Sequence, residues 1–198
     1  TSIVHKAEQT TLERPAFLSK DGLTAAEMGT ALHAFLEHAD FASLAAAKAA
    51  GTLEEAILAE RQRQVDTRLV APEIAEKLNA GRIRRFAESE AFAKICAAEK
   101  VLPASAVLTA QGASAQEAAA VQDEQVLVQG IADLVLVFPD HLELLDYKTD
   151  RRKTEADFLS AYRPQLNLYA LAIDKRFAPK KVTYKGIYSL ELGRLIEA

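Results

Sequence analysis

The chain has 198 residues, is 49% hydrophobic and 26% charged, and carries a net charge of -4, which fits one globular domain able to bury a core and excludes capture of nucleic acid by a broad positive surface. Its one cysteine, Cys96, excludes a disulfide framework and an iron-sulfur cluster held by four thiolates of this chain, and no apolar run is long enough to cross a bilayer. With no secretory leader either, a reducing, cytoplasmic setting is expected. Thr1 opens the chain and Met28 is its sole methionine, so it reads as part of a longer polypeptide or a processed form.

Residues 1–22 are polar, include Pro15 and show no sustained period, which predicts a linker or arm ahead of a domain over 23–198. Thr24 and Glu27 form a capping-box pattern that opens a helix to about Ala39, with Met28, Leu32, Phe35 and Leu36 on its apolar stripe. His33 sits at the flank of that stripe, one turn after Gly29. A glycine there lowers helix propensity by about 1 kcal/mol and permits close approach of another element or a substrate. Taken alone, His33 reads as a hydrogen-bonded boundary residue.

From Thr52 to about Lys100 the pattern is helical and charged. Thr52 to Glu55 is a second capping-box pattern, Pro72 suits a first turn, and Gly81 is expected to break or end a short helix. Arg82, Arg84 and Arg85 could touch phosphate, although a solvated helix face is the simpler explanation of a short charge run. Glu99 closes this region and by itself reads as a surface residue. Val101 to Thr109 reads as a strand interrupted by Pro103, hence an edge; 110–120 as a loop excursion; and Val121 to Gln129 as a strand leading through Gly130 into a hairpin.

That hairpin is the most informative stretch. Two apolar runs, Ile131 to Phe138 and Leu142 to Tyr147, flank the turn-formers Pro139, Asp140 and His141. Antiparallel partners sum to a constant, here about 279, which sets Asp133 opposite Asp146 with their Cβ atoms on the order of 5 Å apart. Lys148, two residues beyond Asp146, points to the same face. Both faces are otherwise apolar, so the strands should be buried on both sides. Two neighbouring carboxylates in such a place repel, and one lysine does not balance them. A divalent cation such as Mg²⁺ would, since it is usually held by one or two carboxylates plus water and substrate phosphate. An ordinary buried salt bridge between Lys148 and one aspartate is the other reading, and the hairpin alone leaves the two at even odds.

Beyond the hairpin, Arg151, Arg152 and Lys153 form a basic cluster suited to phosphate contacts. A short helix over Thr154 to Ser160 and a longer one over Tyr162 to Phe177, with Pro164 in its first turn, are expected next. Gln165 and Tyr169, four apart, share a face of the second. Val182 to Leu190 reads as a closing strand. There is no internal repeat and no Gly-x-x-x-x-Gly-Lys-Ser/Thr loop, so no ATP site of that type is expected in this chain.

Five features stand in order: Gly29-Thr30-Ala31-Leu32-His33, Glu99, Gly130-Ile131-Ala132-Asp133, Leu145-Asp146-Tyr147-Lys148-Thr149-Asp150, and Tyr162 to Ala170 with Gln165 and Tyr169. From about Leu23 to the end, the chain resembles the RecB-like branch of the PD-(D/E)XK nuclease superfamily, and in particular the C-terminal nuclease domains of AddA helicase-nuclease subunits. The resemblance implies an α/β (α+β) fold of the restriction-endonuclease type, a mixed central sheet flanked by helices, with a helical insertion. It implies metal ligands at His33, Asp133, Asp146 and the Tyr147 carbonyl, with Mg²⁺ as cofactor and Mn²⁺ as a substitute. Lys148 corresponds to the water-orienting, charge-stabilising lysine, Gln165 and Tyr169 to the QxxxY element, and Glu99 to the second-motif acid, although its surroundings depart from the usual strand pattern. The implied activity is exonucleolytic cleavage of single strands in double-strand-break processing, with the 3'-terminated strand favoured. The implied partners are DNA ends, a helicase portion of the same polypeptide and an AddB-type partner protein, with no membrane. A catalytically silent DNA-end-binding domain of the same fold is the alternative, against which the presence of His33, Asp133, Asp146 and Lys148 argues; a free-standing, cluster-bearing exonuclease is disfavoured by the missing cysteines.

Overall fold

A computed structural model of the chain describes residues 25–76, 78–103, 133–150 and 154–198. The arm at 1–22, the Thr24 cap, the strands expected at 104–109 and 121–129, Gly130 to Ala132 and the basic cluster Arg151 to Lys153 lie outside the described residues. Six helices come first: α1 (Ala25–Glu37), α2 (Phe41–Ala50), α3 (Leu53–Asp66), α4 (Pro72–Ala75), α5 (Ala80–Ala87) and α6 (Glu90–Ala97). Strands β1 (Lys100–Pro103), β2 (Leu134–Val137) and β3 (Leu142–Lys148) follow, then the long helix α7 (Glu155–Arg176) and strands β4 (Val182–Ser189) and β5 (Arg194–Glu197). The sheet order is β1-β2-β3-β4-β5, antiparallel except for the parallel pair β3 and β4. Parallel neighbours need a crossover, and α7 supplies it.

Alternation along the strands divides the core into two. Leu134, Leu136, Leu145, Tyr147 and Tyr188 face the N-terminal helices, whereas Val135, Leu142, Leu144, Ile187 and Ile196 face Phe158, Leu166, Tyr169 and Ile173 of α7. The strands are therefore covered on both sides, as their two apolar faces require. On the N-terminal side, Phe86 lies edge-on to Phe92, Tyr147 and Tyr188 with ring centroids 5.8, 5.5 and 5.1 Å away, a favoured arrangement of aromatic quadrupoles. Helix α5 thus packs directly behind the ring of Tyr147.

Several local expectations differ from the structure. Thr52 makes no side-chain cap on α3; its amide instead closes the end of α2 on the Ala47 carbonyl at 2.9 Å, after Gly51 turns the chain at φ 77°. A residue spent on terminating one helix is not placed to cap the next. Helix α2 itself, rich in alanine with Leu44 its one buried residue, offers little apolar periodicity to read. Gly81 lies inside the first turn of α5, because Asn79 starts that helix by accepting from the Arg82 amide at 3.2 Å. Pro72 does open α4.

The two helices expected after the hairpin are one, of 22 residues, with Pro164 inside it. Proline removes one hydrogen bond and crowds one carbonyl, but Thr154 and Asp157 form a reciprocal capping box, and Phe158, Leu166, Tyr169 and Ile173 bury one stripe on both sides of the proline. Strand β4 is not the last: Gly193, at φ 67° and with its amide on the Ser189 carbonyl at 2.7 Å, reverses the chain into β5. Pro103 ends β1, which is an edge strand as its proline demands.

Because Phe86 is fully buried and touches three other rings, Phe86→Ala is expected to lower unfolding free energy by about 3–5 kcal/mol; urea denaturation of the two proteins checks this.

Candidate active site

The hairpin has the register its sequence requires. Leu134 pairs with Leu145, Val135 with Leu144, Leu136 with Glu143 and Val137 with Leu142, each pair summing to 279. Asp133, one residue before β2, continues this register to Asp146. Its Oδ2 accepts a hydrogen bond from the Tyr147 amide at 2.6 Å, which ties it to β3 although it lies outside the strand. Asp146 is 3% exposed and points to the α7 side of the sheet. The two carboxylates stand where β3 and its parallel neighbour β4 end, the edge of an α/β sheet at which ligands usually bind.

Helix α1 supplies the third group. His33 Nδ1 is 3.5 Å from Asp133 Oδ1, and its ring lies edge-on to Tyr147 at 6.1 Å. Gly29 makes this possible. A Cβ on that residue would lie 2.5 Å from Thr149 Oγ1 and 3.1 Å from its Cβ, so a side chain there would force α1 off the segment that follows β3. The expected close approach is therefore to the chain itself.

Lys148 places its Nζ 2.6 Å from Asp146 Oδ2, and its side chain is only 20% exposed. That oxygen is buried and ion-paired yet accepts no hydrogen bond of acceptable angle among the described residues. Burial raises the Asp146 carboxyl from the ordinary 3.8 to about 6; Lys148 opposes the rise and Asp133 adds to it. On the other side Lys148 lies over the ring of Tyr162, 4.7 Å from its centroid. Gln165 Nε2 donates to Tyr169 Oη at 2.7 Å, one turn apart on α7. The Tyr169 phenol is raised by burial, against the effect of Gln165, and the charges of Asp146 and Asp133 reach it.

Thus His33, Asp133, Asp146, Tyr147, Lys148, Gln165 and Tyr169 gather at one end of the sheet. Glu99 is not brought there. It precedes β1, is exposed, and gives its amide to the Val137 carbonyl at 2.9 Å, at the opposite end of β2 from Asp133. Four residues of strand, about 13 Å, separate the two ends. The sequence reading assigned no role to Tyr162, although it lies on the same helical face as Gln165 and Tyr169, a spacing that marks it.

Among the described residues no three His, Cys, Asp or Glu side chains converge as a ready-made ligand cluster. Asp133 is turned onto the Tyr147 amide and Asp146 onto Lys148. A buried carboxylate oxygen lacking a hydrogen bond, a second carboxylate beside it and an imidazole nonetheless suit a hard divalent cation, which needs few protein oxygens. Without a cation the ionised Asp146 should destabilise the fold. Since its folded-state pKa is raised, the penalty is absent below about pH 4 and complete above about pH 6, where a shift of roughly two units corresponds to about 3 kcal/mol. Asp146→Asn is therefore expected to raise the melting temperature in EDTA by several degrees at pH 7.5 and much less at pH 4.5; equal melting at both pH values would contradict it.

Comparison with known proteins agrees with this geometry. A profile of the PD-(D/E)XK nuclease superfamily matches residues 7–194. Large subunits of ATP-dependent helicase/nucleases are similar as well: that of Ligilactobacillus salivarius is 30% identical over 98% of this chain and 15% of its own length. Those of Bacillus cytotoxicus and Desulforamulus reducens are each 33% identical, over 88% and 92% of this chain and 14% of their own lengths. The chain thus spans about one seventh of the length of these relatives. With a mixed sheet flanked by helices and a superfamily match along nearly its whole length, the chain belongs to the PD-(D/E)XK nuclease superfamily.

Proposed function

We propose that this domain is a Mg²⁺-dependent deoxyribonuclease that hydrolyses phosphodiester bonds of single-stranded DNA from free ends, with Mn²⁺ able to replace Mg²⁺. The observation that carries the reading is the pairing of Asp133 with the buried Asp146 at one end of a hairpin, with Lys148 on Asp146. His33, Asp133, Asp146 and the Tyr147 carbonyl would hold the cation. Bound there, it would acidify a water and neutralise charge developing on the phosphate.

The residues of the chain have separable tasks in this scheme. Asp133 and Asp146 supply negative charge that only a cation or Lys148 can balance. Lys148, released from Asp146 when that carboxylate has a cation to bind, presents an ammonium in a partly dry site, where fixed positive charge stabilises a developing phosphorane far more than in water. Gln165 and Tyr169, locked to each other, offer a rigid polar pair to orient water or phosphate. Water oxygen bonds to phosphorus, the ester bond to the leaving oxygen breaks, and the proton given up by the water ends on that leaving group.

The relatives' names combine helicase and nuclease. In our reading the domain is the nuclease part of such a polypeptide, fed single strands by a helicase portion and working with an AddB-type partner protein on cytoplasmic DNA ends during double-strand-break repair. A net charge of -4 suits a domain to which DNA is delivered. Arg151, Arg152 and Lys153 would contact backbone phosphates beside the cleavage point. No helix among the described residues is long and apolar enough to cross a membrane.

Cleavage of end-labelled single-stranded DNA with Mg²⁺, with EDTA, and by Asp146→Ala and Lys148→Ala variants tests the assignment. Each variant should lose at least about a hundredfold in rate, and an Asp146→Ala protein that cuts like the parent would sink it. A parent chain that binds Mg²⁺ and DNA ends but never cuts would favour the silent end-binding role. Gly29→Val, which pushes α1 and His33 from Asp133, is expected to weaken Mg²⁺ binding by about tenfold or more, read by titration calorimetry.

A further inference from the structure

The side chain of Lys148 is enclosed by two groups of different character. One is the Asp146 carboxylate, 2.6 Å from Nζ, and the other is the face of the Tyr162 ring, whose centroid lies 4.7 Å away. A ring face this close attracts an ammonium through its quadrupole without neutralising the charge. The ring is itself anchored. Its hydroxyl donates to Asp150 Oδ2 at 2.5 Å, and its edge packs near the fully buried Phe158, 6.1 Å between centroids. Asp150 stands two residues after Lys148 on the same segment, so Tyr162 binds that segment at both Lys148 and Asp150.

The two holders do not remain equivalent during the reaction. A carboxylate that binds a divalent cation has less negative charge left for a lysine, and on the reading of the site given above Asp146 is such a carboxylate. Lys148 is then a long, flexible ammonium with its main partner engaged elsewhere, whereas stabilisation of a phosphorane requires it in one place. Tyr162 is the holder that a cation does not compete for. Helix α7 carries it on the same face as Gln165 and Tyr169, which fixes its distance to that polar pair.

We propose that Tyr162, buttressed by Asp150, is a positioning residue that holds the Lys148 ammonium against its ring face and keeps it aimed at the substrate phosphate when Asp146 is bound to metal. The inference rests on the nuclease reading for its catalytic consequence and on the geometry alone for the contact. It separates Tyr162 from Gln165 and Tyr169: its effect passes through Lys148 and requires the ring but not the hydroxyl itself.

The contact is tested by NMR on protein labelled with ¹³C at the lysine ε-carbons, with and without Mg²⁺. One ε-methylene signal should lie upfield through the ring current of Tyr162, disappear in Lys148→Arg, persist in Tyr162→Phe and return to the ordinary position in Tyr162→Leu, in both metal states. A signal that ignores Tyr162→Leu, or an upfield shift lost when Mg²⁺ is added, would overturn the proposal. The consequence is tested by steady-state cleavage of single-stranded DNA: Tyr162→Leu should lower kcat by about tenfold with KM and Mg²⁺ affinity unchanged, and Tyr162→Phe should recover most of the rate. An unchanged kcat, or a rise in KM alone as for a base-stacking tyrosine, would count against it. If the parent protein does not cleave, the nuclease reading fails, while the lysine signal still decides whether Tyr162 holds Lys148.

Discussion

A carboxylate kept almost wholly out of water is the constraint around which this domain is arranged. Asp146 is enclosed by the sheet and α7, with Lys148 on one oxygen and Asp133 close by, and burial outweighs the lysine in raising its pKa. Such a group is a liability in a fold whose only aim is stability, because a buried charge with incomplete partners costs more than an apolar residue in its place. Its value lies in the demand it makes for positive charge. Lysine meets part of that demand, and a divalent cation with its substrate would meet the rest.

The remainder of the architecture holds this unfavourable pairing in place. Parallel β3 and β4 end side by side, and the crossover helix between them brings Tyr162, Gln165 and Tyr169 over the carboxylate side of the sheet. On the opposite face Phe86 packs against Tyr147, the residue whose amide holds Asp133. Gly29 lets α1 close against Thr149, and His33 reaches Asp133 one turn later. The site is thus assembled from four separate stretches, each positioned by a different packing contact. A buried Glu60, which accepts from Arg63, Gln64 and the Asp40 amide, secures the exit of α1 to α3 and so steadies the helix that carries the histidine.

How much of this could be read beforehand depended on how local the cause was. The hairpin register was legible because a turn and two alternating strands leave few options once both faces must be apolar. Pro103 marked an edge strand, and Gln165 and Tyr169 met because four residues are one helical turn. Pro164 misled, since the burial of Phe158 before it and Leu166 after it outweighs the one bond it removes. Thr52 carries the right residue type for a cap, yet the end of α2 claims its backbone. Glu99 was the right chemistry at the wrong end of the sheet; only the pairing of its amide with Val137 reveals the distance. Strand β5 is four residues long, and a single glycine was its only signal.

By itself, then, the sequence determined the chemistry available and the short-range geometry: two aspartates opposed across a hairpin, a lysine on the same face, a glutamine and a tyrosine one turn apart, a glycine one turn before a histidine. These follow from strand and helix periods, which act over a few residues. Tertiary structure alone decided that His33, about a hundred residues away, meets Asp133; that Gly29 accommodates the segment after β3; that Tyr162 becomes the second holder of Lys148; and that Glu99 is excluded. Those outcomes depend on how helices pack against a sheet, a competition among many weak contacts that no local pattern records.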